Sequence, residues 1–485
     1  MVGMQSVAVA LAQLTELAAT PTVARLSDSF DRAGHEIALV GGPVRDAFLG
    51  RAVSDLDFTT TAHPDEILEI LAPLAQTHWD VGRAFGTIGA RIDGNTVEVT
   101  TYRTDAYNGE SRKPKVAFGS SLVEDLTRRD FTVNAMALRL PKLELVDPSG
   151  GLEDLLAGVL RTPARPERSF GDDPLRMLRA VRFSAQLGFD IAPDTLAALA
   201  ALAPDIERIS AERVRDELTK LVLSPAPVRG LRVLVDSGLA ARVLPELPAL
   251  QLERDEHHRH KDVYEHTLTV VEQAIEYETS RGQLASPDLV VRLAALLHDI
   301  GKPATRRLEP GGAVSFYHHD VVGAKLARRR LRALKFDNVT VDQVARLVGL
   351  HLRFFGYSDA KWSDSAVRRY VRDADDQLER LHILARADVT TRNRRKADQL
   401  GFAYDNLEER IAALAAEEQL AAVRPELDGA AIMALLGVKP GPVVGEAYRF
   451  LLDLRLDEGP VGSDVAAQRL RAWWAQRQND APDSP

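Results

Sequence analysis

The chain has 485 residues, 45% hydrophobic and 27% charged, which are proportions of folded globular protein and exclude a largely disordered or fibrous chain. It carries 70 acidic and 61 basic side chains, for a net charge of −9, a total that still permits a local basic surface for nucleic acid. Cysteine is absent, which excludes disulfides, a disulfide-linked partner and thiolate metal sites, so any metal must be held by His, Asp or Glu.

Residues 5–35 read as a helix, with Leu11, Leu14, Leu17 and Val23 at loosely helical spacing. No Lys or Arg precedes Arg25, so the basic stretch of a secretory leader is missing. No apolar run approaches the roughly 20 residues that span a bilayer. A cytoplasmic enzyme with no membrane partner is the expectation. Between residues 36 and 150 short β-rich runs appear, at Ile37–Val40, Leu56–Thr60, Thr87–Ile92, Val97–Tyr102 and Leu143–Val146. From residue 151 helical periodicity dominates, broken at Pro204, Ser224–Pro227, Pro245–Pro248 and Gly311–Gly312. Gln476–Pro485 is polar and expected to fray. The fold class is therefore α+β, a head with a small sheet followed by helical units.

In LVGGPVRDAFLG, a strand ends at Val40 and Gly41–Gly42 exposes backbone amides at a helix start, where phosphate can be held. Arg45 on the first turn could reach the same anion. Alone, such a pair is usually only a turn. Asp55 and Asp57 lie two apart on a strand, so their carboxylates share a face and repel unless a cation separates them. Such hard oxygen ligands suit Mg²⁺ with substrate phosphates. By itself Asp-x-Asp is more often a solvated edge strand; the Gly-Gly-x-x-Arg-Asp helix start upstream reverses that reading. Glu98, on a later strand, reads equally as a third ligand and as a structural carboxylate.

The stretches GGPVRD, SDLDF, GRAFGTIGARI, VEVTTYRTDAY, EDLTRRDFTVNAMAL, DPSGGLEDL, GDDPLRMLRAVRF and ISAERVRDEL follow one another across 36–220. Together they resemble the class II CCA-adding tRNA nucleotidyltransferases, whose head has the polymerase β fold. The resemblance implies a head over 1–150, a helical neck over 151–250, an HD domain over 251–400 and a helical tail over 401–485. It implies addition of C, C and A to tRNA from CTP and ATP, with Asp55 and Asp57 catalytic, and Gly42, Arg45 and Arg129 on the nucleotide. Asp130 and Asn134 would line the ribose side, although either reads equally as a helix cap or structural residue, and Asp105–Gly119 would be a mobile loop. The related poly(A) polymerases are disfavoured by GRAFGT at Gly82–Thr87; enzymes adding only CC or only A stay open.

Asp173, Arg176, Arg179 and Arg182 recur every three residues and read as one stripe of a helix, too positive for a core. They read either as an exposed face paired with nearby acids or as a face that recognises bases and phosphates, since Arg presents a donor fork and Asp supplies acceptors. The resemblance implies that Asp173 and Arg176 select the base while Arg179 and Arg182 support the nucleotide.

Further on, His266, His298, Asp299, His319, His351 and Asp388 fall on separate predicted helices. Their order resembles the HD phosphohydrolases, His319 and His351 matching the extra ligands of binuclear members. This implies one or two divalent transition ions such as Ni²⁺, Mn²⁺ or Co²⁺ acting on phosphoesters, 2′,3′-cyclic ones among them. Gly301 of HDIGK is expected to end its helix. His257, His258 and His260 read as bystanders. An RNA-binding HD phosphohydrolase with an inactive head is the rival, opposed by the intact Asp55, Asp57 and arginine stripe. Lys439–Pro442 resembles the tail turn of bacterial CCA-adding enzymes. RNA-binding charge is expected around Arg161–Arg168, Arg208–Arg215 and Arg392–Lys396.

Overall fold

The computed structural model describes residues 6–53, 55–104, 117–251, 262–310, 312, 314–354, 357, 362–390, 394–418 and 424–480. Most of the loop Asp105–Gly119, as well as His257, His258, His260 and Arg392, lies outside these residues. The chain divides into two compact units, one ending at Val243 and one starting at Leu244.

The first unit opens with two helices, α1 (Val7–Ala18) and α2 (Pro21–Arg32), not the single helix expected over 5–35. Pro21 cannot donate to the preceding turn, and it starts α2 after an extended Thr20. Next come β1 (Ile37–Val40), α3 (Gly42–Phe48), β2 (Leu56–Thr60), α4 (Pro64–Leu71), β3 (Thr77–Trp79), β4 (Thr87–Ile92) and β5 (Asn95–Thr101). The short pair β6 (Arg103–Thr104) and β7 (Ala117–Phe118) precedes α5 (Leu122–Thr127), β8 (Ala137–Leu140) and β9 (Glu144–Val146).

Seven strands form one sheet in the order β3-β4-β5-β2-β1-β8-β9, with only β2 and β5 parallel. Leu39, Leu56, Phe58, Ile88, Val97 and Val99 are buried on one face. Strand alternation puts Asp57, Glu98 and Thr100 on the other. There Ala38, Val40 and Ala137 pack with Tyr102 and with Leu122 and Leu126 of α5. This small cluster fixes the floor beside the carboxylates.

The rest of the unit is helical apart from a short parallel pair, Val159–Leu160 with Asp190–Ile191: α6 (Gly151–Ala157), α7 (Pro166–Asp172), α8 (Leu175–Leu187), α9 (Pro193–Leu202), α10 (Ala211–Val222), α11 (Pro227–Asp236) and α12 (Ala240–Val243). Pro166, Pro193 and Pro227 each begin a helix, where a missing amide hydrogen costs nothing. α8 is buried between α10 and α11.

Among its described residues the second unit is helical apart from the paired strands Arg307–Leu308 and Val314–Ser315. It contains α13 (Val263–Arg281), α14 (Leu289–Leu297), α15 (Lys302–Thr305), α16 (His319–Ala333) and α17 (Asn338–Leu350). Helices Asp364–Ala374, Leu378–Ala387 and Arg394–Glu418 follow. The last three helices, Gly429–Leu436, Pro442–Glu458 and Ser463–Asp480, share a core of Ile432, Ala447, Leu451, Ala466 and Leu470. Gln476–Asp480, expected to fray, is the final turn of that last helix. Among the described residues no single helix is long and apolar enough to cross a membrane.

Candidate active site and metal cluster

Parallel pairing of β2 and β5 sets Asp57 directly beside Glu98. Asp55 lies one residue before β2. Burial first, then Glu98 and Asp55, push the Asp57 carboxyl up to about 6, against the pull of Arg129 and Arg179. Three carboxylates so close favour a proton or a metal cation between them.

Next to them lies a cavity of about 220 Å³ lined by Thr100, Arg103, Asp125, Arg128, Arg129 and Arg176. Four arginines face one carboxylate, and that carboxylate is already engaged. Asp125 accepts from Thr59 Oγ1 at 3.2 Å, Arg129 Nη2 at 3.1 Å and the Arg103 amide at 3.1 Å. Among the described residues the buried Nε atoms of Arg103 and Arg129 have no acceptor. Burial pulls Arg103 down to about 10, with Arg128 and Arg129 adding to the effect against Asp125. A polyanion would satisfy these donors. Arg103, Asp125 and Arg128 were not singled out from the sequence, although EDLTRRD carries two of them.

Other expected residues are placed less directly. Gly41, with φ +72°, turns β1 into α3, and Gly42 is the first helical residue. Arg45 is buried and turned away from open space. Its Nη1 donates to Asn134 Oδ1 at 2.6 Å, and its other nitrogens bond Asp46 at 2.9 and 3.0 Å. Asn134 in turn donates to Asp130 at 3.1 Å. Asp130 holds Arg179 through two contacts of 2.7 and 2.6 Å. Although burial opposes it, this pairing takes the Asp130 carboxyl down to about 2.

The arginine stripe differs from expectation in two ways. Asp173 is not on the helix with the arginines: it is the extended residue that ends α7, and α8 begins at Leu175. Its carboxylate meets Arg213 at 3.1 Å. Arg182 does belong to the core. It is 7% exposed, pairs with Glu217 at 2.6 Å, bonds Gln186 at 2.7 Å and lies 3.9 Å over the Phe183 ring. A buried guanidinium is tolerated because Glu217, 35 residues away on α10, neutralises it. Arg176 reaches the Arg128 carbonyl at 2.6 Å and Ser169 Oγ at 2.8 Å, which aims it at the cavity.

The expected RNA-binding arginines are partly paired within their own region. Arg161 meets Asp154, Arg208 donates to the Gly171 carbonyl, and Arg215 pairs with Asp216. Lys439–Pro442 joins Gly429–Leu436 to Pro442–Glu458.

In the second unit six side chains converge from helix ends. His266 lies on α13, His298 and Asp299 follow α14, His319 opens α16, His351 follows α17, and Asp388 follows Leu378–Ala387. They form two triads, His266/His298/Asp388 and Asp299/His319/His351, each with ligand atoms within 4.8 Å of one another. Asp299 joins them: its Oδ2 lies 3.2 Å from His298 and 3.5 Å from His266, its Oδ1 3.3 Å from His319.

Three Nδ1 atoms lie against the carbonyl three residues back: His298 to Ala295 at 2.9 Å, His319 to Phe316 at 2.8 Å, His351 to Val348 at 2.6 Å. A carbonyl only accepts, so each Nδ1 carries a proton and each Nε2 faces the centre, where it offers a lone pair once the ring is neutral. Among the described residues the buried Nε2 atoms of His319 and His351 have no hydrogen-bond partner. His266 Nδ1 meets Thr390 Oγ1 at 2.9 Å, a support the sequence did not reveal. Against its burial, Asp299 and Asp388 raise His298 to about 10, and both carboxyls are held well below their usual range. Burial and then His298 take His351 down to about 4. This donor set fits a pair of divalent ions, with Asp299 reaching both.

Gly301 does not end the α14 helix in a left-handed turn, because its φ is −77°. A side chain there would meet the His319 carbonyl at 2.0 Å. Gly301 thus lets the start of α16 approach close enough for His319 to reach Asp299.

Residues 37–161 match the family described as "Poly A polymerase head domain", 188–250 "Probable RNA and SrmB- binding site of polymerase A", and 263–393 "HD domain". The chain is 38% identical to the A-adding tRNA nucleotidyltransferase of Deinococcus radiodurans, over 90% of this chain and 95% of that protein. It is 34% identical to the CC-adding tRNA nucleotidyltransferase of Thermus thermophilus, over 92% and 96%. The solved structure of Bacillus stearothermophilus CCA-adding enzyme in complex with CTP is similar at a TM-score of 0.68 and 26% identity, over 95% of this chain and 100% of that one.

Proposed function

Because this chain belongs to the tRNA nucleotidyltransferase family, we propose that it adds C, C and A to the 3′ end of tRNA from CTP and ATP with no nucleic-acid template. The observation that carries this reading is the carboxylate group Asp57/Glu98 beside a cavity lined by four arginines. Mg²⁺ held by Asp55 and Asp57, with Glu98 as a third ligand, would polarise the α-phosphate and assist the attacking hydroxyl. The tRNA 3′-hydroxyl attacks that phosphorus and pyrophosphate leaves. Gly42 and Arg129 hold the phosphates. Asp173 and Arg176 choose the base by offering an acceptor and a donor fork. Arg179 holds the nucleotide side of the pocket. Arg45 and Arg182 act through Asn134 and Glu217, by fixing the elements that carry the others. Such work on tRNA belongs in the cytoplasm.

In the HD domain, the His and Asp cluster holds a divalent transition pair such as Ni²⁺, Mn²⁺ or Co²⁺ and hydrolyses phosphoesters, 2′,3′-cyclic ones among them. A second reading, addition of only CC or only A, is favoured by the names of the two full-length relatives. Incubating tRNA that lacks its last three nucleotides, and tRNA ending in CC, with CTP, ATP or both decides between them by product length. Three-nucleotide extension supports full CCA addition; a stop after two, or extension only of the CC-ended tRNA, supports the second reading.

A further inference from the structure

The head's tryptophan, Trp79, stands where no role in nucleotide binding accounts for it. It ends β3, the edge strand, all three residues of which are exposed. Its register partner on β4 is Gly89, and Gly89 is the partner of Glu98 on β5, which is the partner of Asp57 on β2. Directly opposed residues point to the same side of a sheet, with β-carbons about 5 Å apart. Trp79, Gly89, Glu98 and Asp57 therefore form one row across the face that carries the carboxylates.

The indole lies down along that row. A β-carbon at Gly89 would fall 2.1 Å from Trp79 Cε2 and Nε1. The ring thus occupies the side-chain space of Gly89, next to Glu98, and is still 36% exposed. Val81, Phe85 and Phe118 are further exposed apolar side chains of this part of the head. A large aromatic face left open beside phosphoryl-transfer carboxylates is chemically suited to a nucleobase.

Sheet order indicates which base. The carboxylates are on the central strands β2 and β5. Gly41–Gly42 follows β1 on one flank, while Trp79 is on β3 at the other. In an in-line displacement the leaving pyrophosphate and the attacking hydroxyl lie on opposite sides of the phosphorus. With phosphates drawn to the Gly41–Gly42 flank, the attacking 3′-hydroxyl comes from the β4–β3 flank. We propose that Trp79 is the stacking platform for the 3′-terminal base of the RNA being extended, and so places the attacking hydroxyl. This rests on the reading that the chain extends an RNA 3′ end.

The test uses full-length enzyme and a tRNA transcript whose terminal base is 2-aminopurine, together with steady-state kinetics on ordinary tRNA. In the wild type the terminal fluorophore is quenched on binding. In Trp79→Ala the quench is lost, the KM for RNA rises roughly tenfold and the kcat at saturating RNA falls because the hydroxyl is no longer placed, while the KM for CTP stays within about twofold. Trp79→Phe restores most of these losses. Gly89→Ala, which evicts the indole from its cradle, reproduces Trp79→Ala with the tryptophan still present. Since Trp79 is on the surface, its removal leaves no internal void, and a thermal melt checks the fold. An unquenched terminal base in the wild type, an unchanged RNA KM in Trp79→Ala, or a rise in the CTP KM instead would overturn the proposal. Failure of the wild type to extend any RNA would instead overturn the function on which it rests, and is read from the wild type alone.

Discussion

The two units approach a metal from opposite directions. In the head, carboxylates are gathered at neighbouring strands, and burial together with Glu98 and Asp55 pushes Asp57 up to about 6 in spite of Arg129 and Arg179. Nothing but oxygen is offered, the site is open, and the phosphates of a substrate must complete the coordination. In the HD domain, six candidate ligands from five helix ends come together, His298, Asp299, His319 and His351 buried and His266 and Asp388 half-buried, and four of the six are imidazoles whose Nε2 atoms face inward. There the protein supplies a nearly finished shell, and the strongly raised His298 holds a proton where a cation would otherwise be. The first arrangement suits an ion that arrives with the nucleotide, the second an ion that stays.

The sharpest way to break this contrast is to remove one site and assay both. Asp55→Ala or Asp57→Ala is expected to abolish nucleotide addition and leave tRNA affinity and phosphoester hydrolysis intact. Near-normal addition in both variants would remove the carboxylates from the chemistry. The reverse experiment has an effect of similar size on the other activity. His298→Ala combined with Asp299→Ala should remove tightly bound transition metal, measured by elemental analysis, and with it hydrolysis of 2′,3′-cyclic phosphoesters, while addition persists. Loss of addition in a folded double variant would show that the two sites are coupled.

Base choice should respond less steeply. Asp173→Ala or Arg176→Ala is expected to relax discrimination against UTP and GTP by roughly 10- to 100-fold in relative kcat/KM, since each variant removes one polar partner of the correct base. Wild-type selectivity in both would make these residues structural. The smallest effect is in proton exchange. Below about pH 6 Asp57 carries a proton that Mg²⁺ must displace, so the apparent Mg²⁺ affinity for addition should climb as pH rises to about 6 and level off above it. In the HD domain His298 is protonated up to about pH 10 without metal. Metal uptake there at pH 8 should therefore release a proton, seen by calorimetry in buffers of different ionisation enthalpy. Proton-neutral uptake would contradict the assignment.

Much of this was legible in the sequence because the ligands travel in short, rigid units. Asp57 lies on β2 as read, although Asp55 falls one residue before the strand, and His298–Asp299 declares a common turn. What escaped were relations across the chain. β8, Ala137–Leu140, is an interior strand of only four residues, ALRL, too short for its alternation to mark it. β3 is three exposed residues long, and only its register with Gly89 gives Trp79 a meaning. Arg182 looked too charged for a core because Glu217 is 35 positions away. Gly301 read as a helix stop, whereas its function is contact with the backbone of α16, which local sequence does not encode.

The Arg182–Glu217 pair has a consequence for how the sequence can drift. Both side chains are under 9% exposed, one on α8 and the other on α10, and Glu217 also lies 3.8 Å from Arg179. Changing Glu217 alone strands the Arg182 charge in the interior, at a cost of about 3–5 kcal/mol, whereas replacing both with apolar groups of similar volume costs less. Over evolutionary time the two positions should therefore vary together or not at all, a linkage between distant codons that an alignment of relatives would show as paired substitution.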